Sequence, residues 1–248
     1  MKRIGIVGGV GWQSTVEYYA GLCRLSEQRR APKKVQTGPL TPEICIESLD
    51  LNMANRLLGR TGDEDSWRRF DEYHRTALQR LQACDAEVAA IASNSAHHRL
   101  ASIISGIGIP VLSIVDAAAK AAVRMGATHV LVLGTALTMQ SRMYPDAFRR
   151  YGIEAASPTE AKARTAVVNI IADIHAEHIE GTAARIHAIA EAHFGRQVPD
   201  GAAVCLACTE LPLAFPASKE SPGFIEDGMR YINTAAAHIH ALFEFACT

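Results

Sequence analysis

Two short stretches set chemically able side chains at the ends of apolar runs. In IASNSAHHRL (91–100) an apolar run passes into Ser93, Asn94 and Ser95 and then into the paired His97 and His98. In AAVCLACTELP (202–212) another ends on Cys208, Thr209 and Glu210. Hydroxyl and amide groups at such an edge can donate to a carboxylate, and a thiol that ionises there can take up a proton and return it. Two further turns share the design. Gly8-Gly9-Val10-Gly11 leads through Trp12, Gln13 and Ser14 to Thr15 at a helix start, which offers backbone N–H groups and a positive dipole end to an anion. Gly134-Thr135 closes the run HVLVLG and adds a hydroxyl. Ser14 stands where a dinucleotide fingerprint needs its third glycine, so the first turn does not read as a Rossmann loop. Together the turns suit a small carboxylate and have no need of a phosphate.

Positioning these turns requires strands that end beneath them. Runs at 3–8, 43–49, 87–93, 110–114, 129–134, 153–156 and 202–208 are short and rich in Val, Ile, Leu and Ala, as strands buried on both faces require. Helical patterns such as SWRRFDEYHRTALQRLQAC and TAARIHAIAEAHF lie between them. Ser157-Pro158-Thr159-Glu160 has the N-cap, first-position proline and glutamate of a helix start. The alternation predicts an α/β fold with mainly parallel sheets, where ligands bind beyond the carboxyl ends of the strands. All four turns lie at such ends. The two halves also rhyme, GIVGG with VLVLGT and IASNSA with CLACTE, which suggests two similar lobes that meet near GIGIP (106–110).

Composition narrows the partners. The chain has 248 residues, 48% of them hydrophobic, with 25 basic and 26 acidic side chains and no long basic run. That balance points away from nucleic acid and membrane surfaces and towards a small-molecule ligand. MKRIGIVGG reaches its glycine turn too soon for a signal peptide, so a cytoplasmic protein with reduced cysteines is expected. Cys205 and Cys208 have C-x-x-C spacing, but a redox pair would open a helix and a zinc site would need further ligands. Cys205 therefore reads as core and Cys208 as a single functional thiol. His175 and His178 share a helix face without a third ligand, and His238 in the last helix reads as packing. No metal or organic cofactor is expected.

Across nearly its whole length the chain resembles the cofactor-independent aspartate/glutamate racemase superfamily. The resemblance is carried, in the family's order, by IGIVGGVGWQSTVEYY, ASNSAH, LGTALTM, LACTELPL and INTAAAH. It implies two pseudo-symmetric α/β lobes, 1–110 with 220–248 and 111–219, with the active site between them, and commonly a homodimer. It also implies two thiols that serve opposite faces of the substrate's Cα, one thiolate removing the proton while the other thiol replaces it. Carried over by position, the second thiol is Cys208, whereas Ser93 occupies the place of the first, whether naturally or by replacement. Gly9, Gly11, Thr15, Asn94, Ser95, Thr135 and Thr209 become the substrate-binding groups, and Glu210 an auxiliary one.

A serine hydroxyl is a very poor base beside a thiol, whose usual pKa is about 8.5. The resemblance therefore predicts an amino-acid racemase that is slow or lopsided. The lysine by which family members hold a distal carboxylate falls near Val167, with Lys162 and Arg164 as the nearest cations and Arg56, Arg60 and Arg142 as substitutes. His97 matches the family's motif histidine in a capping or catalytic role. The alternatives are a one-cysteine relative, such as an arylmalonate-type decarboxylase or maleate-type isomerase, and a carboxylate-binding relative without catalysis.

Overall fold

The apolar runs become strands in two separate sheets. The computed structural model describes residues 1–29, 41–60, 62–195 and 198–248. They form two compact units, Met1–Leu112 with Ile239–Thr248 and Ser113–His238.

In the first unit the order is β1 (Ile4–Gly8), α1 (Trp12–Gln28), β2 (Ile44–Ser48), α2 (Leu51–Arg56), α3 (Glu64–Ala83), β3 (Val88–Ile91), a 3-10 turn (Ser95–Arg99), α4 (Leu100–Ile103) and β4 (Val111–Leu112). The sheet runs β2-β1-β3-β4, all parallel. Central β1 and β3 are buried at every residue, as unbroken apolar sequence demands, while edge strand β2 is only partly covered. Asp63 accepts from the N–H of Ser66 and caps α3, which then buries Trp67, Phe70, Leu78 and Leu81. Each such large apolar side chain contributes about 1.5–3 kcal/mol when fully buried. A Cβ on Gly21 of α1 would come within 3.1 Å of Ile239, so the glycine lets the C-terminal residues pack closely on α1.

The second unit carries α5 (Ile114–Arg124), β5 (His129–Gly134), α6 (Ala136–Gln140), α7 (Met143–Arg149), β6 (Glu154–Ala156), α8 (Ala161–His175), α9 (Thr182–Phe194), β7 (Ala202–Ala207), a 3-10 turn (Leu211–Ala214), β8 (Gly223–Glu226) and β9 (Met229–Asn233). Helix α10 (Thr234–Ala246) follows β9 directly. The sheet order is β6-β5-β7-β9-β8, and β8 alone runs antiparallel to its neighbour. Helix α8 lays Val167, Ile170 and Ile174 into a core with Leu131, Val204 and Leu206. The chain is thus α/β, with two mostly parallel sheets flanked by helices. Among the described residues no helix is long and apolar enough to cross a membrane.

Three expectations need correction. Residues 220–238, expected with the first lobe, belong to the second unit, because β8 and β9 form a hairpin beside β7 with Cys205 level with Ile232. Its turn is Asp227-Gly228, with φ of 48° and 77°. Positive φ at both positions is the two-residue turn that matches the twist of paired strands. The helix expected from Ser157 begins at Ala161, with Glu160 at the cap position and no side-chain cap bond. There the Arg164 guanidinium donates to the carbonyls of Pro158 and Thr159, at 3.0 and 2.6 Å, and holds the entering chain. The strand expected over 110–114 keeps only Val111–Leu112, because the Ser113 hydroxyl accepts from the N–H of Asp116 and starts α5.

Candidate active site

In the first unit, adjacent strands β1 and β3 deliver two turns to one edge of the sheet. Val7 pairs with Ile91, and the N–H of Ala92 reaches the Val7 carbonyl at 2.8 Å. After β1, Gly9 takes φ of +82°, and a Cβ there would lie 2.1 Å from the Leu49 carbonyl oxygen, so only glycine fits. Its N–H donates to the Thr15 hydroxyl at 2.8 Å. Thr15 therefore braces the turn, and the Gly9 donor is already engaged. Gly11, at φ +90°, precedes the first residue of α1 without a side-chain cap.

After β3, Ser93 and Asn94 are buried and Ser95 is half-buried. Buried His97 donates from Nδ1 to the Ser93 carbonyl at 2.7 Å, and its backbone N–H donates to the Asn94 carbonyl at 3.0 Å. A carbonyl only accepts, so Nδ1 carries the proton. His97 thus braces the turn that presents Ser93. Exposed His98 lies instead against the Trp67 ring, with centroids 5.4 Å apart.

In the second unit the paired ends are those of β5 and β7, with Gly134 level with Ala207. A Cβ on Gly134 would meet the Ala207 carbonyl oxygen at 2.6 Å, so the glycine permits this approach. Thr135 and Cys208 are the next residues of the two strands. Thr135 caps α6, its hydroxyl accepting from the N–H of Thr138 at 3.3 Å. Asn233 ends β9 and accepts from the N–H of Ala236 at 3.0 Å, which explains the asparagine of INTAAAH as the cap of α10.

Cys208, Thr209 and Glu210 are all buried. The Cys208 thiol donates to Oε2 of Glu210 at 2.9 Å, and the Thr209 hydroxyl donates to the same oxygen at 3.2 Å. Oε1 of Glu210 stands 3.5 Å from Nε2 of His175, the last residue of α8. A buried carboxylate needs such donors and opposite charge. Burial pushes the Cys208 thiol well above its ordinary range, and the Glu210 carboxylate adds to the shift. Backbone hydrogen bonds from Glu210 and Thr209 oppose it by favouring the thiolate. Glu210 in turn raises His175 above the ordinary histidine value. Cys205 is fully buried in β7 and raised by burial alone, as a core residue.

These arrangements can be set beside known proteins. The Asp/Glu/hydantoin racemase family profile matches residues 7–242. The chain belongs to this family. An aspartate racemase homologue from Pyrococcus horikoshii OT3 is 25% identical and superposes with a TM-score of 0.76 over 100% of both chains. The aspartate racemase of Picrophilus torridus is 19% identical, with a TM-score of 0.71 over 100% of this chain and 95% of its own. Glutamate racemase from Campylobacter jejuni subsp. jejuni is 21% identical, with a TM-score of 0.63 over 98% and 85%. Membership of the Asp/Glu/hydantoin racemase family supports a racemase-type function and an enzyme of the isomerase kind.

Within this racemase-family chain the cations considered for a distal carboxylate have other surroundings. Val167 is fully buried in the apolar core of the second unit. Lys162 and Arg56 are exposed, Arg60 pairs with Asp63 at 2.7 Å, Arg142 pairs with Asp146 at 3.1 Å, and Arg164 holds the two carbonyls before α8. His238 is fully buried. Among the described residues no three His, Cys, Asp or Glu side chains group as a metal could require. Sequence reasoning weighed His175 only as a metal ligand and missed its place beside Glu210. Residues 35 positions apart show no pattern, and only the packing of the α8 end against the turn after β7 joins them.

Proposed function

We propose that the protein racemises an amino acid without pyridoxal phosphate, with Cys208 as the base at Cα. The observation that carries this reading is the Cys208 thiol just beyond the end of β7, donating at 2.9 Å to the buried Glu210 carboxylate, a group placed to take up the thiol proton. A thiolate there takes the α-proton, and the thiol so formed can return it. Ser93, where the family's first thiol would stand, is too weak an acid to exist as a base at neutral pH. It can only relay a proton from water to the carbanion. The two directions of the reaction are therefore unequally served, and exchange is fast for one enantiomer and slow for the other.

The groups offered to a substrate carboxylate are Gly11, Asn94 and Ser95 of the first unit and Thr135 and Thr209 of the second, while Gly9 and Thr15, bonded to each other, shape their turn. Glu210 assists Cys208. The reading takes the protein as a cytoplasmic homodimer that needs no metal or organic cofactor and has a small amino acid or carboxylate as partner.

Single enantiomers of candidate amino acids in deuterated water test it. Deuterium at Cα, gained faster from one enantiomer, is the expected result. The single thiol turn also suits an arylmalonate-type decarboxylase, for which carbon dioxide release from a malonate without amino-acid exchange would decide. Carboxylate binding without either reaction would mark a silent binding relative.

A further inference from the structure

Glu210 poses a problem for the chemistry assigned to its neighbour. A carboxylate 2.9 Å from Sγ accepts the thiol proton, yet its charge also opposes the thiolate that a base must be. Something has to offset that charge and take the proton away. His175 meets both needs: its Nε2 lies 3.5 Å from the other oxygen of Glu210, and its side chain is 39% exposed while that of Glu210 is 5% exposed. The three groups thus run from a buried thiol through a buried carboxylate to an imidazole in contact with water.

We propose that His175 is a positioning residue of the reaction, which acts through Glu210 to carry the proton of Cys208 to and from solvent and to supply the positive charge that lets a thiolate form beside a carboxylate. This inference rests on the reading of Cys208 as the base. In the discharging direction, the S–H proton passes to the Glu210 carboxylate. The carboxyl group then gives a proton to neutral His175, which leaves thiolate, carboxylate and imidazolium. The imidazolium releases its proton to water from its exposed edge. No electrons change hands, and the reverse sequence reloads the thiol. The charged groups on the elements packed around the end of α8 fit this path. Cys208 and Glu210 face His175 from the turn after β7, and Arg185 of α9 is held by Asp173 of α8. Glu210 also raises the imidazole's affinity for its proton, which keeps it charged closer to neutral pH.

The test measures modification of Cys208 by methyl methanethiosulfonate in the full chain, located by mass spectrometry from pH 6 to 9. His175→Gln is compared with the unaltered protein, and His175→Asn serves as a second replacement of this exposed side chain. Loss of the imidazolium should slow modification about tenfold at pH 6, the effect of one unit in thiolate ionisation. The difference should close towards pH 9 as the unaltered imidazole loses its proton. A purely structural contribution would give a ratio independent of pH, and that result overturns the proposal. Thiolate absorbance at about 240 nm, taken as the difference from Cys208→Ser, reads ionisation of the buried sulfur whether or not the reagent reaches it, and its absence throughout overturns the proposal as well. Cα exchange on the same samples separates the two readings. A pH-dependent ratio without exchange counts against the racemase alone, whereas exchange with a flat ratio counts against His175 alone.

Discussion

The turns after β3 and β7 follow the same plan with opposite chemistry. Both follow strands buried at every residue, and both set a small polar residue just beyond the strand. After β3 the residue is Ser93, held from behind by His97 through a backbone carbonyl. After β7 it is Cys208, engaged at its own sulfur by Glu210, with His175 beyond. In the first turn the histidine ring meets the backbone carbonyl of Ser93 and so helps to shape the turn. In the second, the carboxylate touches the reacting group, the histidine touches the carboxylate, and together they can move its proton. Under the proposed reading, one backbone design serves in one turn as a donor cradle and in the other as a base, according to the side chains beside it.

The largest expected effect comes from breaking the second turn. Cys208→Ala should lower Cα deuterium exchange by about 1,000-fold or more, within the range of a positioned acid–base group, while substrate binding followed by calorimetry persists. Retention of most of the exchange would transfer the chemistry elsewhere.

Making the two turns alike is the next test. Ser93→Cys should speed exchange from the slower enantiomer by about 100-fold and change the faster one less, as read from initial rates in deuterated water. Equilibrium between enantiomers stays at one to one, so only rates are informative. Unchanged rates in a folded variant that binds substrate would remove Ser93 from the mechanism.

The two units should also answer pH differently. His74 in the first unit is fully buried, donates from Nδ1 to the Phe70 carbonyl at 2.9 Å, and has no partner at Nε2 among the described residues. Burial lowers its proton affinity below the ordinary histidine value of 6.5. The unfolded chain then binds the proton more readily, so the first unit loses stability as pH falls below 6.5 towards the folded value. His175 has the opposite sign. Its raised value adds stability that is complete below 6.5 and fades as pH climbs through the folded value. Amide hydrogen exchange between about pH 7 and 5 should show β1, β3 and α3 losing protection before β5 and β7, and His74→Leu should reduce that extra loss. Parallel losses in both units would contradict the assignment.

The smallest effect is expected from metal removal. Dialysis against a strong chelator should leave Cα exchange unchanged, because the chemistry assigned to both turns is proton transfer between side chains. Activity lost and then restored by zinc would replace that account.

The sequence alone determined the class of fold and the strand-end stations from which the proposed site is read. Unbroken apolar runs admit little but strands buried on both faces, and a glycine, serine or threonine directly after each run marks a strand end whatever packs around it. The β8–β9 hairpin was legible too, since Asp227-Gly228 between apolar runs has one strong local meaning, although the sequence reading passed over it. What sequence could not supply was the company those stations keep. Val167 was a candidate position for a cation and proved to be core, because a helix position acquires its neighbours only when the helix docks. Thr15 was a candidate ligand donor and is also the brace of the glycine turn. Glu210 and His175 became a pair only when the end of α8 packed beside the turn after β7. Local backbone preferences act over a few residues and are written in the chain order. The protonation of a buried thiol depends on charges a few ångströms away in space, and only the tertiary structure sets those distances.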